Sequence, residues 1–111
     1  MPETWGIGVD LCAVSRMARA IEKAHFFTRV FTENERAYLQ GRGRAVGQSA
    51  AAMFAAKEAV AKALGTGFAQ GVMPWQIEVT HEQSGKPGVL LTGAAREKFE
   101  QIGGRSILLS L

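Results

Sequence analysis

The chain has 111 residues, 47% hydrophobic and 21% charged, the composition of a globular domain rather than of a disordered or fibrous chain. Thirteen Lys and Arg against ten Asp and Glu leave a formal charge of +3, a mild excess that suits an anionic partner or a phosphorylated ligand and falls short of the basic stripes usual in nucleic-acid binders. No segment offers the roughly 20 apolar helical residues of a membrane span. The start, Met-Pro-Glu-Thr-Trp, lacks both signal-peptide regions and a myristoylation site, and a lone cysteine fits a reducing cytoplasm.

In chain order, Trp5-Gly-Ile-Gly-Val-Asp10 predicts a buried strand that stops at a carboxylate and carries two glycines where another group can approach the backbone. Val14, Met17, Ala18 and Ile21 recur at helical spacing with Arg16, Arg19, Glu22 and Lys23 between them, an amphipathic helix with a basic outer face. Thr32-Glu-Asn-Glu35 is a capping-box signature for a short helix through about Leu39. Gly41-Arg-Gly-Arg44 reads as a loop, and Ala45 to Leu64 is the strongest helix signal in the chain because alanine loses no side-chain entropy there. Gly65 and Gly67 end that helix, and Pro74 closes a glycine-bearing loop. Gln76 to Glu82 alternates with period two, a strand with one face solvated; Ser84-Gly-Lys-Pro87 turns the chain, and Val89 to Leu91 returns it. Ala94 to Ile102 is a second amphipathic helix ended by Gly103-Gly104, and Ser106 to Leu111 is a last apolar strand. This mixed order predicts a single α+β domain over 1–111.

Two places carry chemistry. Asp10 stands at a strand end beside glycines, as an oxygen ligand for a hard cation such as Mg²⁺ or as a carboxylate opposing the dipole of the next helix. Glu58 and Lys62, four apart in the favourable order, make either a surface ion pair or a ligand-facing pair among alanines small enough to let a ligand or a second helix approach. Lys62 lies one turn before Gly65-Thr-Gly67, a turn where a phosphate can be held. Other motifs fail. Gly6-x-Gly8 has Leu11 where a dinucleotide fingerprint needs its third glycine, and Gly65-x-Gly67 follows a helix rather than a strand. Gly85-Lys86 lacks the upstream glycine of a P-loop, and His25 and His81 have no zinc-ligand spacing. Cys12 reads as a buried small hydrophobe rather than a nucleophile, and Phe26, Phe27, Phe31 and Phe54 as core rather than a base-stacking platform.

Taken together, Gly6-Ile-Gly-Val-Asp10-Leu with Arg16, the run Phe54-Ala-Ala-Lys57-Glu58-Ala with Lys62-Ala-Leu-Gly65-Thr-Gly67, the Ile77-Glu-Val strand and Ser84-Gly-Lys-Pro87 resemble the holo-(acyl-carrier-protein) synthases, the small phosphopantetheinyl transferases, across nearly the full length. The resemblance implies a small antiparallel sheet packed against the long Ala-rich helix. It implies transfer of the 4′-phosphopantetheine arm of coenzyme A to a serine of an acyl carrier protein, releasing adenosine 3′,5′-bisphosphate. Asp10 and Glu58 would then hold one Mg²⁺ and Lys62 would meet the pyrophosphate, with Glu58 also the candidate acceptor of the serine proton. Lys57, Lys62, Gly65, Thr66, Gly67, Lys86 and Pro87 would contact coenzyme A, while Arg16 and Arg19 would face an acidic carrier protein. Homotrimers with active sites between subunits are implied as well, without nucleic-acid or membrane partners.

Two departures stand out. Met53 replaces the arginine that commonly precedes the Phe-Ala-Ala-Lys-Glu run, and the sequence stops at Ser110-Leu111, before the Ser-His pair and further strand of the family. Both motivate the alternative of a non-catalytic coenzyme A- or carrier-binding module, and the second predicts an unpaired apolar edge on the last strand.

Overall fold

The computed structural model describes residues 11–103. The strands expected over 5–10, Asp10 included, and over 106–111 lie outside the described residues. Within them run α1 (Leu11–Ala20), α2 (Ala24–Val30), α3 (Glu33–Gln40), α4 (Val46–Ala63), β1 (Ile77–His81), β2 (Pro87–Leu91) and α5 (Gly93–Gln101), with 3-10 turns at Gly43–Ala45 and Pro74–Gln76.

The local signals explain most of these elements. The capping box forms as read: the Thr32 hydroxyl accepts the Glu35 N–H at 3.2 Å, and Glu35 Oε1 accepts the Thr32 N–H at 2.9 Å. Two orphan amides at the start of α3 are thereby satisfied. α2 was not foreseen. Its N-cap position is Lys23, which makes no side-chain cap, and it is rich in aromatic and β-branched residues of modest helix propensity. Tertiary packing supplies what propensity lacks, since Val30 is buried and Phe26 and Phe27 pack against the core.

α4 is the spine of the molecule. Its N-terminal half joins a cluster of Val30, Phe31, Leu39, Ala50, Met53, Ala56 and Val79; its C-terminal half joins Val60, Ala61, Leu64, Val72, Ile77 and Ala95. The small residues bring α1 close. A Cβ at Gly47 would meet the Cβ of Ala18 at 2.9 Å, so the small residues at this end of α4 are taken up by a neighbouring helix. β1 and β2 pair antiparallel in the register Ile77 with Leu91, Val79 with Val89 and His81 with Pro87. Side chains alternate across a strand, so this set faces α4 while Glu78, Thr80 and Leu90 take the other face.

The start of α5 is capped from a distant element. Thr92 provides no side-chain cap; instead Gln76 Oε1 accepts the Ala95 N–H at 3.1 Å, and the Gln76 carbonyl accepts the Thr92 N–H at 2.9 Å. Cys12 departs from expectation, because it is exposed on the first turn of α1 rather than buried.

Candidate active site

The mid-chain motif divides between two faces of α4. Glu58 and Lys62 are exposed, while Lys57 and Val60 are buried. Successive helical residues turn by about 100°, so Lys57 points inward while Glu58 clears the core. Glu58 and Lys62 make no ion pair with each other; the ion pairs among the described residues are Lys57–Glu35 and Arg96–Glu100. The carboxylate and the ammonium thus stand about one turn apart on a solvent-facing strip, with Ala55 and Ala59 half-buried beside them. Neither side chain has a hydrogen-bond partner among the described residues.

Lys57 corrects an expectation. Its Nζ donates to Glu35 Oε1 at 2.7 Å, to the Pro74 carbonyl at 2.9 Å and to the Ile77 carbonyl at 2.7 Å. Those three bonds use every N–H that an ammonium owns, and neither Lys57 nor Glu35 has any exposed side-chain area. No donor remains for coenzyme A. Burial pushes the Lys57 pKa below its ordinary value, and the charge and hydrogen bond of Glu35 pull it back up. Glu35 is itself engaged through both oxygens, because its second oxygen accepts the Val79 N–H at 2.7 Å.

The Gly65-Thr66-Gly67 turn also behaves differently from a phosphate cradle. The Gly65 N–H donates to the Lys62 carbonyl, and the Thr66 and Gly67 N–H groups both donate to the Ala61 carbonyl, at 2.9, 3.3 and 3.0 Å. All three amides cap the C-terminus of α4. Positive φ at Gly65 (85°) and Gly67 (57°) explains the glycines, and a Cβ at either would meet nothing within 4 Å. The helix C-terminus is a negative dipole end, and Lys62 is the cationic side chain on its last turn.

Pro87 and Met53 meet in a cleft of about 210 Å³ that Tyr38, Arg42, Ser49 and His81 also line. The rings of Tyr38 and His81 stack, centroids 4.1 Å apart and planes 5° from parallel. The Arg42 guanidinium lies 5.4 Å from the Tyr38 ring centre and donates to the Ser49 hydroxyl at 3.0 Å. Burial first, and the Arg42 charge second, lower the His81 pKa. Sequence reasoning missed Tyr38, Arg42, Ser49 and His81 as a group, because they come from α3, the following loop, α4 and β1 and share no spacing. Met53 is 2% exposed, a core side chain at the wall of this cleft. Lys86 is exposed in the hairpin turn, next to Pro87 in sequence.

Arg16 and Arg19 are exposed on α1, as the amphipathic pattern predicted. Asp10, which immediately precedes α1 in the sequence, lies outside the described residues.

Residues 6–107 match the family model described as the 4′-phosphopantetheinyl transferase superfamily. A holo-(acyl-carrier-protein) synthase of Gluconobacter oxydans is 47% identical over 100 residues, covering 87% of this chain; the chain spans 64% of that relative's length. The crystal structure of the holo-(acyl-carrier-protein) synthase of Neisseria meningitidis superposes with a TM-score of 0.71 at 35% identity, over 91% of this chain and 82% of that one. The Bacillus anthracis holo-(acyl-carrier-protein) synthase in complex with coenzyme A (3′,5′-ADP) superposes with a TM-score of 0.64 at 37% identity, over 79% of this chain and 76% of that one.

Proposed function

The chain belongs to the 4′-phosphopantetheinyl transferase superfamily and, within it, to the holo-(acyl-carrier-protein) synthases, and from that membership we propose that it moves the 4′-phosphopantetheine arm of coenzyme A to a serine of an acyl carrier protein. The serine oxygen bonds to the β-phosphorus and the bond from that phosphorus to the bridging oxygen breaks. Adenosine 3′,5′-bisphosphate leaves with the electron pair, and the serine proton passes to the Glu58 carboxylate, directly or through a water. The observation that carries this reading is the exposure of Glu58 and Lys62 side by side on α4, with no partner among the described residues.

The donor set fits Mg²⁺, which takes one or two carboxylates and completes its shell with waters and substrate phosphates. Asp10 and Glu58 are the residues that would hold it. When bound, the ion supplies positive charge where negative charge grows on the phosphoryl oxygens. Lys62 adds a second positive charge to the diphosphate, and a charged ammonium contributes most where water is partly excluded.

Arg16 and Arg19 form the docking face for an acidic carrier protein. The reading extends to a homotrimer with active sites between subunits. The reading includes a cytoplasmic location. Separately, no helix among the described residues is long and apolar enough to cross a membrane. The test is to incubate the protein with coenzyme A, Mg²⁺ and an apo acyl carrier protein and to follow the carrier by intact mass spectrometry. The carrier should gain one phosphopantetheine, and the gain should vanish with a chelator. Coenzyme A binding without any mass gain on a panel of carriers would instead favour a non-catalytic binding module.

A further inference from the structure

We infer that the buried Lys57–Glu35 pair is a positioning device that sets the rotation of α4 about its own axis, and so aims Glu58 and Lys62 at the metal and diphosphate of the proposed site. The inference rests on the reading of Glu58 as a metal ligand given above. It concerns a pair that the transfer chemistry itself does not use.

Three observations carry it. First, Lys57 spends its three donors on three acceptors from separate segments: Glu35 of α3, Pro74 of the 3-10 turn and Ile77 of β1. Glu35 in turn holds the Thr32 and Val79 amides. One side chain of α4 is thus tied by directional bonds to three separate segments packed on that side of the helix.

Second, five of the nine buried residues of α4 are alanines: Ala50, Ala51, Ala52, Ala56 and Ala61. Helix packing depends on ridges entering grooves, and methyl groups form shallow ridges, so directional bonds add to what Met53, Val60 and the Gly47–Ala18 contact fix by shape.

Third, a buried ion pair is a poor way to gain stability alone. Desolvating the two charges offsets most of their attraction, and apolar replacements are often neutral or better. What the pair adds over an apolar contact is direction. Because Lys57 and Glu58 are consecutive in a helix, about 100° apart, a rotation that breaks the Lys57 bonds moves the Glu58 carboxylate by the same angle.

Mn²⁺ binding in the presence of coenzyme A, read by electron paramagnetic resonance, tests this without relying on turnover. All proteins are measured below their own unfolding transitions. Lys57→Met should weaken Mn²⁺ binding about tenfold or more, the usual effect of losing a group that orients a metal ligand. Phe99→Ala, a truncation in α5 against the other core cluster, should destabilise the fold yet leave Mn²⁺ affinity unchanged. Should Lys57→Met prove too unstable, Glu35→Gln serves in its place, since it removes the charge but keeps an acceptor for the Val79 N–H. Affinity within twofold of the parent in whichever of the two is folded overturns the inference. So does an equal loss in Phe99→Ala, which would mark general loosening. Glu58→Gln separates the underlying reading: undiminished Mn²⁺ binding there removes Glu58 as a ligand, and the inference falls with it.

Discussion

The Cβ of Ala18 in α1 lies 2.9 Å from where a Cβ on Gly47 of α4 would stand, with the Val14 carbonyl oxygen 3.4 Å away from the same point. The helix that carries Arg16 and Arg19 therefore rests directly on the helix that carries Glu58 and Lys62. Glycine is required at that contact for space, not for backbone conformation. Gly47→Ala should cost about 1 kcal/mol net, because overpacking of about 1–3 kcal/mol outweighs a gain of up to about 1 kcal/mol in helix propensity. Urea unfolding measures the loss. Ala18→Gly in the same background should recover part of it, as a favourable coupling of at least about 0.5 kcal/mol in the double-mutant cycle. Additive effects would show that the helices do not meet there.

Glu58→Ala should lower kcat/KM for carrier modification by at least about 100-fold, the scale of losing one group that stabilises transition-state charge. Its thermal unfolding should match the parent, because the side chain is exposed and unpartnered among the described residues. Asp10→Ala is expected to lose activity to the same degree. Lys62→Ala should raise the KM for coenzyme A as well, since its ammonium faces the ground-state diphosphate too. Intact mass spectrometry of the carrier follows all three, and a fully active Glu58→Ala would remove this carboxylate from the site.

Arg16→Glu and Arg19→Glu should act on the encounter with the carrier rather than on chemistry. Rim charges mainly set association rates and their salt dependence. At low ionic strength each variant should slow carrier association about tenfold or more, and the difference should shrink as salt rises through the Debye regime. Stopped-flow association with saturating coenzyme A reads this. Equal rates at low salt would show that α1 is not the docking face.

The His81 imidazole, stacked on Tyr38 and near the Arg42 guanidinium, predicts a pH effect on stability. Its folded pKa lies below the ordinary 6.5 because burial and the neighbouring positive charge disfavour the imidazolium. Between that lowered value and 6.5 the unfolded chain binds more protons than the folded one, so stability rises with pH across the window and is withdrawn on acidification. His81→Phe keeps an aromatic ring over Tyr38 and removes the titration. From about pH 7.5 to about pH 5 the variant should lose less melting temperature than the parent. An identical drop would mean that His81 contributes nothing to the acid response.

Most of the local structure was legible in the residues. The capping box at Thr32 and Glu35, the alanine-rich helix and its glycine stop, and the hairpin around Gly85 are each written in a span shorter than about twenty residues, where propensity, capping and turn chemistry act without reference to the rest of the chain. α2 was not legible, because its stability comes from Phe26, Phe27 and Val30 meeting a core built elsewhere.

The composition of the candidate site divides in the same way. Spacing alone places Glu58 and Lys62 on one face of a helix, and those side chains are exposed together. Spacing could not say that Lys57, one residue earlier, is spent on Glu35, Pro74 and Ile77. Nor could it assemble Tyr38, Arg42, Ser49 and His81 around one cleft. A hydrogen bond between residues far apart in sequence leaves no periodic trace in a chain, and whether a charged side chain meets solvent or a buried partner is settled only when the elements pack.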